Sequence, residues 1–263
     1  MRMAGAQPAA LSQGVGYPFV NAEAAALVAR FTTQPTSARK LLIDTLVGSL
    51  KTAGVWSKLD AFYMLAAADA QSSLLNWVST SYNLTAVNSP AFVVDRGSTG
   101  DGATSYYDTG FNPTTAPSPK FTQDSGALSL WSRTNLANGA GTSFDFGSPN
   151  SYVGRSTTAG QGTGRPNAGS GQSYGLLVYP GYVGYSRTAA AVWEAYAAGV
   201  DSGGGTTASA ALTNATLRIC SIGAGSFGVN QIASALVASG LSAGEELATY
   251  NAMSTYLQAI GAA

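Results

Sequence analysis

Residues 182–200, YVGYSRTAAAVWEAYAAGV, contain two short runs of Val, Tyr and Trp among small residues, which fit strands at 182–188 and 191–197 separated by a short turn. The same texture extends in both directions. From about Tyr82 onward glycine becomes frequent, and apolar runs bounded by turn residues place further strands near 91–95, 104–110, 127–134, 142–147, 174–179, 216–222 and 230–237. Nine short strands without intervening helices predict antiparallel sheets packed as a sandwich.

The flanks read differently. Residues 1–19 carry small residues, Gln, Gly and Pro without periodicity and are expected as an extended arm. Asn21 suits the N-cap of a helix reaching Phe31, and a second helix starts after Pro35, places Leu42, Ile43, Leu46, Val47 and Leu50 on one stripe and stops at Gly54. Trp56, Leu59, Phe62, Tyr63 and Leu65 continue that apolar face, so residues 20–80 are expected as a small helical unit. Ser242 and Glu245 form a capping box, and Leu247, Tyr250, Met253, Leu257 and Ile260 give a stripe closed by Gly261. The expected organisation is an arm (1–19), a helical unit (20–80) and a β-sandwich closed by a C-terminal helix (81–263).

Composition narrows the chemistry. The 263 residues include no histidine, one cysteine, nine Asp and four Glu, and no glutamate lies between Glu23 and Glu194. General acid/base catalysis, nucleophile activation and metal ligation draw mostly on these residue types, so the expectation is a binding or structural protein with no cofactor and no enzymatic activity. Charged residues make up 10% of the chain, thirteen basic against thirteen acidic. The surface must then be largely Ser, Thr, Asn, Gln and Gly, which suits sugars or subunit packing better than nucleic acid. Cys220 sits in an apolar run and reads as a buried thiol. The N-terminus lacks a signal-length apolar stretch and no segment reaches membrane-spanning length, which predicts a soluble protein made in the cytoplasm.

Three glycine-rich stretches imitate known sites. LRICSIGAGSFGVNQIASALVASG (217–240) carries G-x-G-x-x-G at Gly223, Gly225 and Gly228, with Glu245 beyond it. A dinucleotide fold needs several βαβ units, for which too little chain follows, so a glycine-rich connection between antiparallel strands is the better reading. GQGTGRPNAGSGQ (160–172) lacks the GK[ST] ending of a phosphate loop and reads as a long loop, and VDSGGGTT (200–207) reads as a turn. DRGSTGDG (95–102) also reads as a turn, with Asp95, Asp101 and Asp108 as weak calcium candidates.

The segments VVDRGSTGDGATSYYDTGFNP (93–113), FTQDSGALSLWSRTNLANG (121–139), YVGYSRTAAAVWEAYAAGV (182–200) and QIASALVASGLSAGEELATYNAMSTYLQAIG (231–261) resemble concanavalin A-like, laminin-G-like jelly-roll domains of phage and prophage tail, fibre and spike proteins. The stretch from AEAAALVARF at 22–31 to NSPAF at 88–92 resembles the helical lead-in of such proteins in phages and gene transfer agents of α-proteobacteria. The resemblance implies an antiparallel jelly-roll sandwich and a virion component. Its arm and helical unit would contact capsid or tail proteins, its jelly roll would bind host surface polysaccharide, and copies of the chain would associate into an oligomer. A purely architectural role is the alternative. Glucanases on the same fold use paired Glu with an intervening Asp, a pattern this chain lacks, since Asp124 and Asp145 are the only acids between 109 and 193.

Sugar sites on sandwiches combine an aromatic platform with hydrogen-bond donors. In ALSLWSRT, Leu128 and Leu130 share one face while Ser129, Trp131 and Arg133 share the other, so inward leucines would present Trp131 and Arg133 outward. Tyr179, Tyr182, Tyr185 and Arg187 cluster near a turn in a similar mixture. The same residues also suit packing beneath loops or at a subunit contact, and Tyr106 and Tyr107 suit a strand covered on both faces.

Overall fold

The computed structural model describes residues 17–136, 141–156, 161–174 and 180–263. In chain order its elements are α1 (Ala22–Val28), α2 (Ser37–Thr52), a 3-10 turn (Trp56–Lys58), β1 (Leu59–Met64), α3 (Ala70–Ser73), β2 (Thr85–Val87), β3 (Ala91–Val93), β4 (Gly97–Thr99), β5 (Tyr106–Asp108) and β6 (Gly126–Ser132). The order continues through β7 (Ser143–Ser148), β8 (Ser151–Arg155), β9 (Gly162–Arg165), β10 (Gln172–Tyr174), β11 (Gly181–Ala189), β12 (Val192–Ala197) and β13 (Val200–Gly205). It ends with β14 (Arg218–Ile219), β15 (Ser221–Gly223), β16 (Ser226–Phe227), β17 (Gln231–Ala238) and α4 (Ala243–Ala259).

The chain is a mainly β, antiparallel jelly-roll sandwich with N-terminal helices and a C-terminal helix. Sheet A has the order β13-β12-β11-β6-β17-β4-β3, with β1 also paired to β17, and sheet B has the order β10-β9-β8-β7-β14-β5-β2. One apolar cluster fills the space between the sheets through Leu128, Leu130, Phe146, Val153, Val183 and Tyr185. A second lies between sheet A and the helices, joining Leu27, Leu46, Val47, Phe62, Trp131 and Met253. The central strands of sheet A are therefore covered on both faces.

That double covering corrects the expected helical unit. Residues 59–64 form β1, paired with β17 from Leu59↔Ala238 to Met64↔Ser234. Its side chains alternate between the layers: Phe62 and Met64 face the helices, whereas Ala61 and Tyr63 face the second sheet. A strand with two apolar faces loses polar/apolar alternation, and its continuous run imitates a helical stripe. The two N-terminal helices do form, α1 ending at Val28 rather than Phe31. Asn21 precedes α1 without a side-chain cap and instead donates from Nδ2 to Asp44 Oδ1 on α2, which also accepts the Asn21 backbone N–H.

Other corrections come from glycine-rich strands. The expected turns at 95–102 and 200–207 contain β4 and β13, and the expected loop at 160–172 contains β9 and the start of β10. Of the strand expected at 174–179, residues 175–179 lie outside the described residues, as do residues 1–16 of the expected arm. Residues 85–87 and 151–155 are strands that periodicity had not marked.

Ser242 and Glu245 complete their capping box on α4. The buried face of that helix is rotated from the expected stripe: Leu247 is exposed, whereas Glu246 is fully buried. The Tyr182 hydroxyl donates to Glu246 Oε2 at 2.5 Å, and Oε1 has no partner. Among the described residues no helix is long and apolar enough to cross a membrane.

Burial pushes the Glu246 carboxyl from 4.5 up to about 8. The native state holds this proton more tightly than the unfolded chain, so the stabilisation is complete below about pH 4.5 and is lost as pH rises toward about 8. Urea denaturation across this window should show stability falling with pH, and Glu246→Gln should flatten that slope. An unchanged slope in the variant would contradict the assignment.

Candidate functional site

The alternation read in β6 is correct, but the face opposite Leu128 and Leu130 does not reach solvent. Trp131 is 6% exposed because α4 lies over it, and its ring stacks on Tyr250 at 5.8 Å with an interplanar angle of 2°. Arg133 donates from Nε to the Ala262 carbonyl at 2.8 Å and from Nη1 to Gln231 Oε1 at 2.5 Å, tying down the C-terminal residues. Trp131 and Arg133 share a cleft of about 150 Å³ with Pro180 and Gly181.

Tyr182, Tyr185 and Arg187, the other sugar-contact candidates, are fully buried, which matches the alternative of packing beneath loops and corrects their placement in a sugar site. Tyr182 faces the helices and meets Glu246, whereas Tyr185 faces the second sheet and donates to Asn167 Oδ1 at 3.0 Å. Arg187 donates to the carbonyls of Pro166, Ala189, Ala190 and Thr207, so its guanidinium fastens loops rather than awaiting a ligand. Tyr179 lies outside the described residues.

The calcium candidates are not brought together as a cage. Asp95 pairs with Arg39. Asp101 accepts backbone N–H groups from Ser105, Thr104 and Ala103, which hold its carboxyl well below the usual carboxylate range. Asp108 accepts from the Gly110 N–H and the Thr216 hydroxyl. Among the described residues no group of three His, Cys, Asp or Glu is placed to hold a metal. Of the two acids available for a glucanase-like pair, Asp145 is buried and bonded to Ser143 and Asn230, while Asp124 is bonded to Ser209.

The G-x-G-x-x-G stretch forms the β15–β16 hairpin and leads into strand β17, so no helix follows it. Gly228 is required by proximity: a Cβ there would lie 2.7 Å from the Phe144 carbonyl oxygen and 2.8 Å from Asp145 Oδ1. Cys220, just before the hairpin, is buried, and burial followed by the nearby Asp145 charge pushes its thiol up to about 12. Such a thiol is inert at neutral pH.

The outer face of sheet B is partly open: Phe144, Arg165 and Arg218 are half-buried there, whereas Tyr152 is only 7% exposed and Gly147 and Gly154 are buried. Cross-strand pairing sets Thr85, Asp108, Arg218, Gly147, Tyr152 and Arg165 in one row. Their neighbours Tyr107, Ile219, Phe146 and Val153 point into the core, which places this row on the outer face. The next row carries Phe144, Gly154 and Thr163. Gly147, at φ +136°, could not carry a side chain without meeting the Ser151 carbonyl oxygen at 2.0 Å.

Phe144 and Tyr152 meet edge to face at 5.5 Å, and the Arg165 guanidinium lies 6.0 Å from the centre of the Tyr152 ring. With Ile222 and the tip of the β15–β16 hairpin they line a cleft of about 270 Å³. Farther along the face Arg218 sits 4.4 Å from the Tyr106 ring centre, and Phe227 of the hairpin packs at 6.4 Å from Tyr106. A groove of about 320 Å³ between α2 and α4 is larger, but it is lined by Leu42, Leu46, Ala252 and Tyr256 with no charged group. Sequence reading missed the outer face because SYVGR (151–155) was not recognised as a strand, and its alternation of Tyr152 and Gly154 against Val153 was the available signal.

No protein-family model matches the chain, and no curated protein matches it. Solved structures do. Trypanosoma rangeli sialidase in complex with sialic acid is similar over 82% of this chain at a TM-score of 0.55 and 14% identity, and the chain spans 40% of the sialidase length. A second structure of Trypanosoma rangeli sialidase gives a TM-score of 0.54 at 14% identity over 82% of this chain and 39% of the sialidase. Domain 4 of AbnA, a GH43 extracellular arabinanase from Geobacillus stearothermophilus, in complex with arabinotriose, is similar at 12% identity and a TM-score of 0.46, covering 72% of this chain and 97% of that domain.

The sialidase likeness is one of fold, and it corrects the expectation that the chain has no enzymatic activity. That expectation treated the sandwich and its acid-poor composition as excluding catalysis, yet the neighbours are glycoside hydrolases. The exclusion is withdrawn.

Gly228→Ala should destabilise the protein by about 1–3 kcal/mol, the cost of forcing a methyl group into a closed contact, as read by chemical denaturation. Trp131→Ala should cost about 3–5 kcal/mol through the cavity left beneath α4. Wild-type stability in either variant would contradict the packing described here.

Proposed function

We propose that the chain is a carbohydrate-binding structural component of a phage or phage-like particle, and that the glycan lies on the outer face of sheet B. The observation that carries the binding half is the cleft in which the half-buried Phe144 and Arg165 stand beside the Tyr152 ring. Aromatic faces receive the C–H surface of a sugar ring, while a guanidinium and neutral polar groups satisfy its oxygens. A sialidase of the same fold, seen with sialic acid, supports a sugar as occupant.

The particle half rests on the resemblance of residues 22–92 and of the four jelly-roll segments to phage and gene-transfer-agent proteins. In this reading the N-terminal segment and the helical layer contact capsid or tail proteins, copies of the chain associate, and the target is polysaccharide on an α-proteobacterial host. The low charge of the chain, 10% of residues, suits such packing.

The test measures binding of the full chain to encapsulated and capsule-free cells of candidate hosts, alongside its co-purification with particles. Capsule-dependent binding is expected, weakened about tenfold by Phe144→Ala, since one aromatic contact contributes about 1.4 kcal/mol. No binding to either cell type, with the chain still present on particles, would overturn the glycan reading and leave architecture. Absence from particles would overturn the other half.

A further inference from the structure

We infer that the glycan recognised by this face is acidic, a polymer whose carboxylate or sulfate groups are read by Arg165 and Arg218. The inference rests on the preceding assignment of sheet B as the sugar-binding face and specifies its substrate class.

Charge is scarce in this chain, and most arginines are committed internally. Arg30 donates to the carbonyls of Asn76 and Ser79, Arg133 to that of Ala262, Arg155 to Asn135, and Arg187 to four carbonyls, while Arg39 pairs with Asp95. Arg218 differs from them. Its guanidinium lies over the Tyr106 ring and makes no side-chain hydrogen bond or ion pair among the described residues. Asp108, across the strand from it, is occupied by the Gly110 N–H and the Thr216 hydroxyl.

Arg165 is anchored at one nitrogen only. Its Nη1 donates to the Pro149 carbonyl at 3.0 Å and to Asn150 Oδ1 at 3.1 Å, and among the described residues its buried Nε and its Nη2 have no hydrogen-bond partner. No carboxylate lines the cleft it borders. Both guanidinium groups thus lie beside an aromatic ring, and neither makes an ion pair among the described residues, with Asp108 facing Arg218 across the strands. Guanidinium groups bind oxyanions through two parallel hydrogen bonds, to planar carboxylates and to tetrahedral groups alike.

Spacing adds a second constraint. Arg218 on β14 and Arg165 on β9 occupy the same cross-strand row and are separated by β7 and β8. Three strand spacings amount to about 14 Å. Phe144 on β7 and Tyr152 on β8 lie in that interval. A chain of sugar rings crossing the strands would rest on the aromatic groups and bring an acid group to each end.

The experiment compares the wild type, Arg165→Gln, Arg218→Gln and Phe144→Ala on encapsulated cells and on three immobilised polymers: polygalacturonate, dextran sulfate and neutral dextran. Circular dichroism and thermal unfolding check that each variant is folded. The wild type should retain a charged polymer over dextran, with binding that weakens as salt rises. Polygalacturonate preferred over dextran sulfate assigns a carboxylate, and the reverse assigns a sulfate. Each Arg→Gln change should weaken both polymer and cell binding about tenfold. Cell binding that survives both Arg→Gln changes but is lost in Phe144→Ala overturns the acidic assignment and leaves the glycan reading standing, as does equal retention on dextran. Failure of the wild type to bind cells or any polymer overturns both.

Discussion

The central strands of sheet A have no free face, and the rest of the molecule follows from that constraint. All seven residues of β6 are buried, because the second sheet covers one side and helices from both ends of the chain cover the other. The cover is specific as well as apolar: Trp131 lies flat against Tyr250, and Tyr182 meets the buried Glu246. Aromatic side chains of the central strands are thereby committed to packing. What remains for contact with another molecule is the outer surface of sheet B and the outer surface of the helices.

The same covering explains what the sequence disclosed. The capping box, the α2 stripe and the strands around 127–134, 182–188, 191–197 and 230–237 were legible because local chemistry and tertiary role agree there. β1 was not, since Ala61 to Met64 alternate between two apolar layers and show no polar face. β9 and β13 were hidden by glycine, which has poor strand propensity but is tolerated where neighbouring backbone approaches closely. For the site, the parity of Trp131 was right and its exposure wrong. Nothing local to ALSLWSRT reports a helix that arrives more than a hundred residues later.

With few ion pairs available, neutral hydrogen bonds hold the long connections. Asn167 is the clearest case: its Oδ1 accepts from Ser151 and Tyr185, while its Nδ2 donates to the carbonyls of Thr122 and Gln123. Asn230, Ser143 and Asp145 make a comparable buried cluster where β7 meets the approach to β17. Buried polar groups contribute to order when nearly every donor and acceptor is matched. The glycine-rich segments beside the sheet B cleft thus rest on a fixed frame, and Phe144 and Tyr152 are held in register before any ligand arrives.

Residues 17–21 are bound to Asp44 in the helical layer, and Ala262 is buried beside Arg133 on the same flank of sheet A. Both ends of the described chain therefore emerge on the side away from the aromatic furrow. This makes the domain vectorial. Immobilised through the helical layer or through Ala262, on a bead, a scaffold or a larger assembly, it would turn the same face to the medium, and orientation would come from the fold itself.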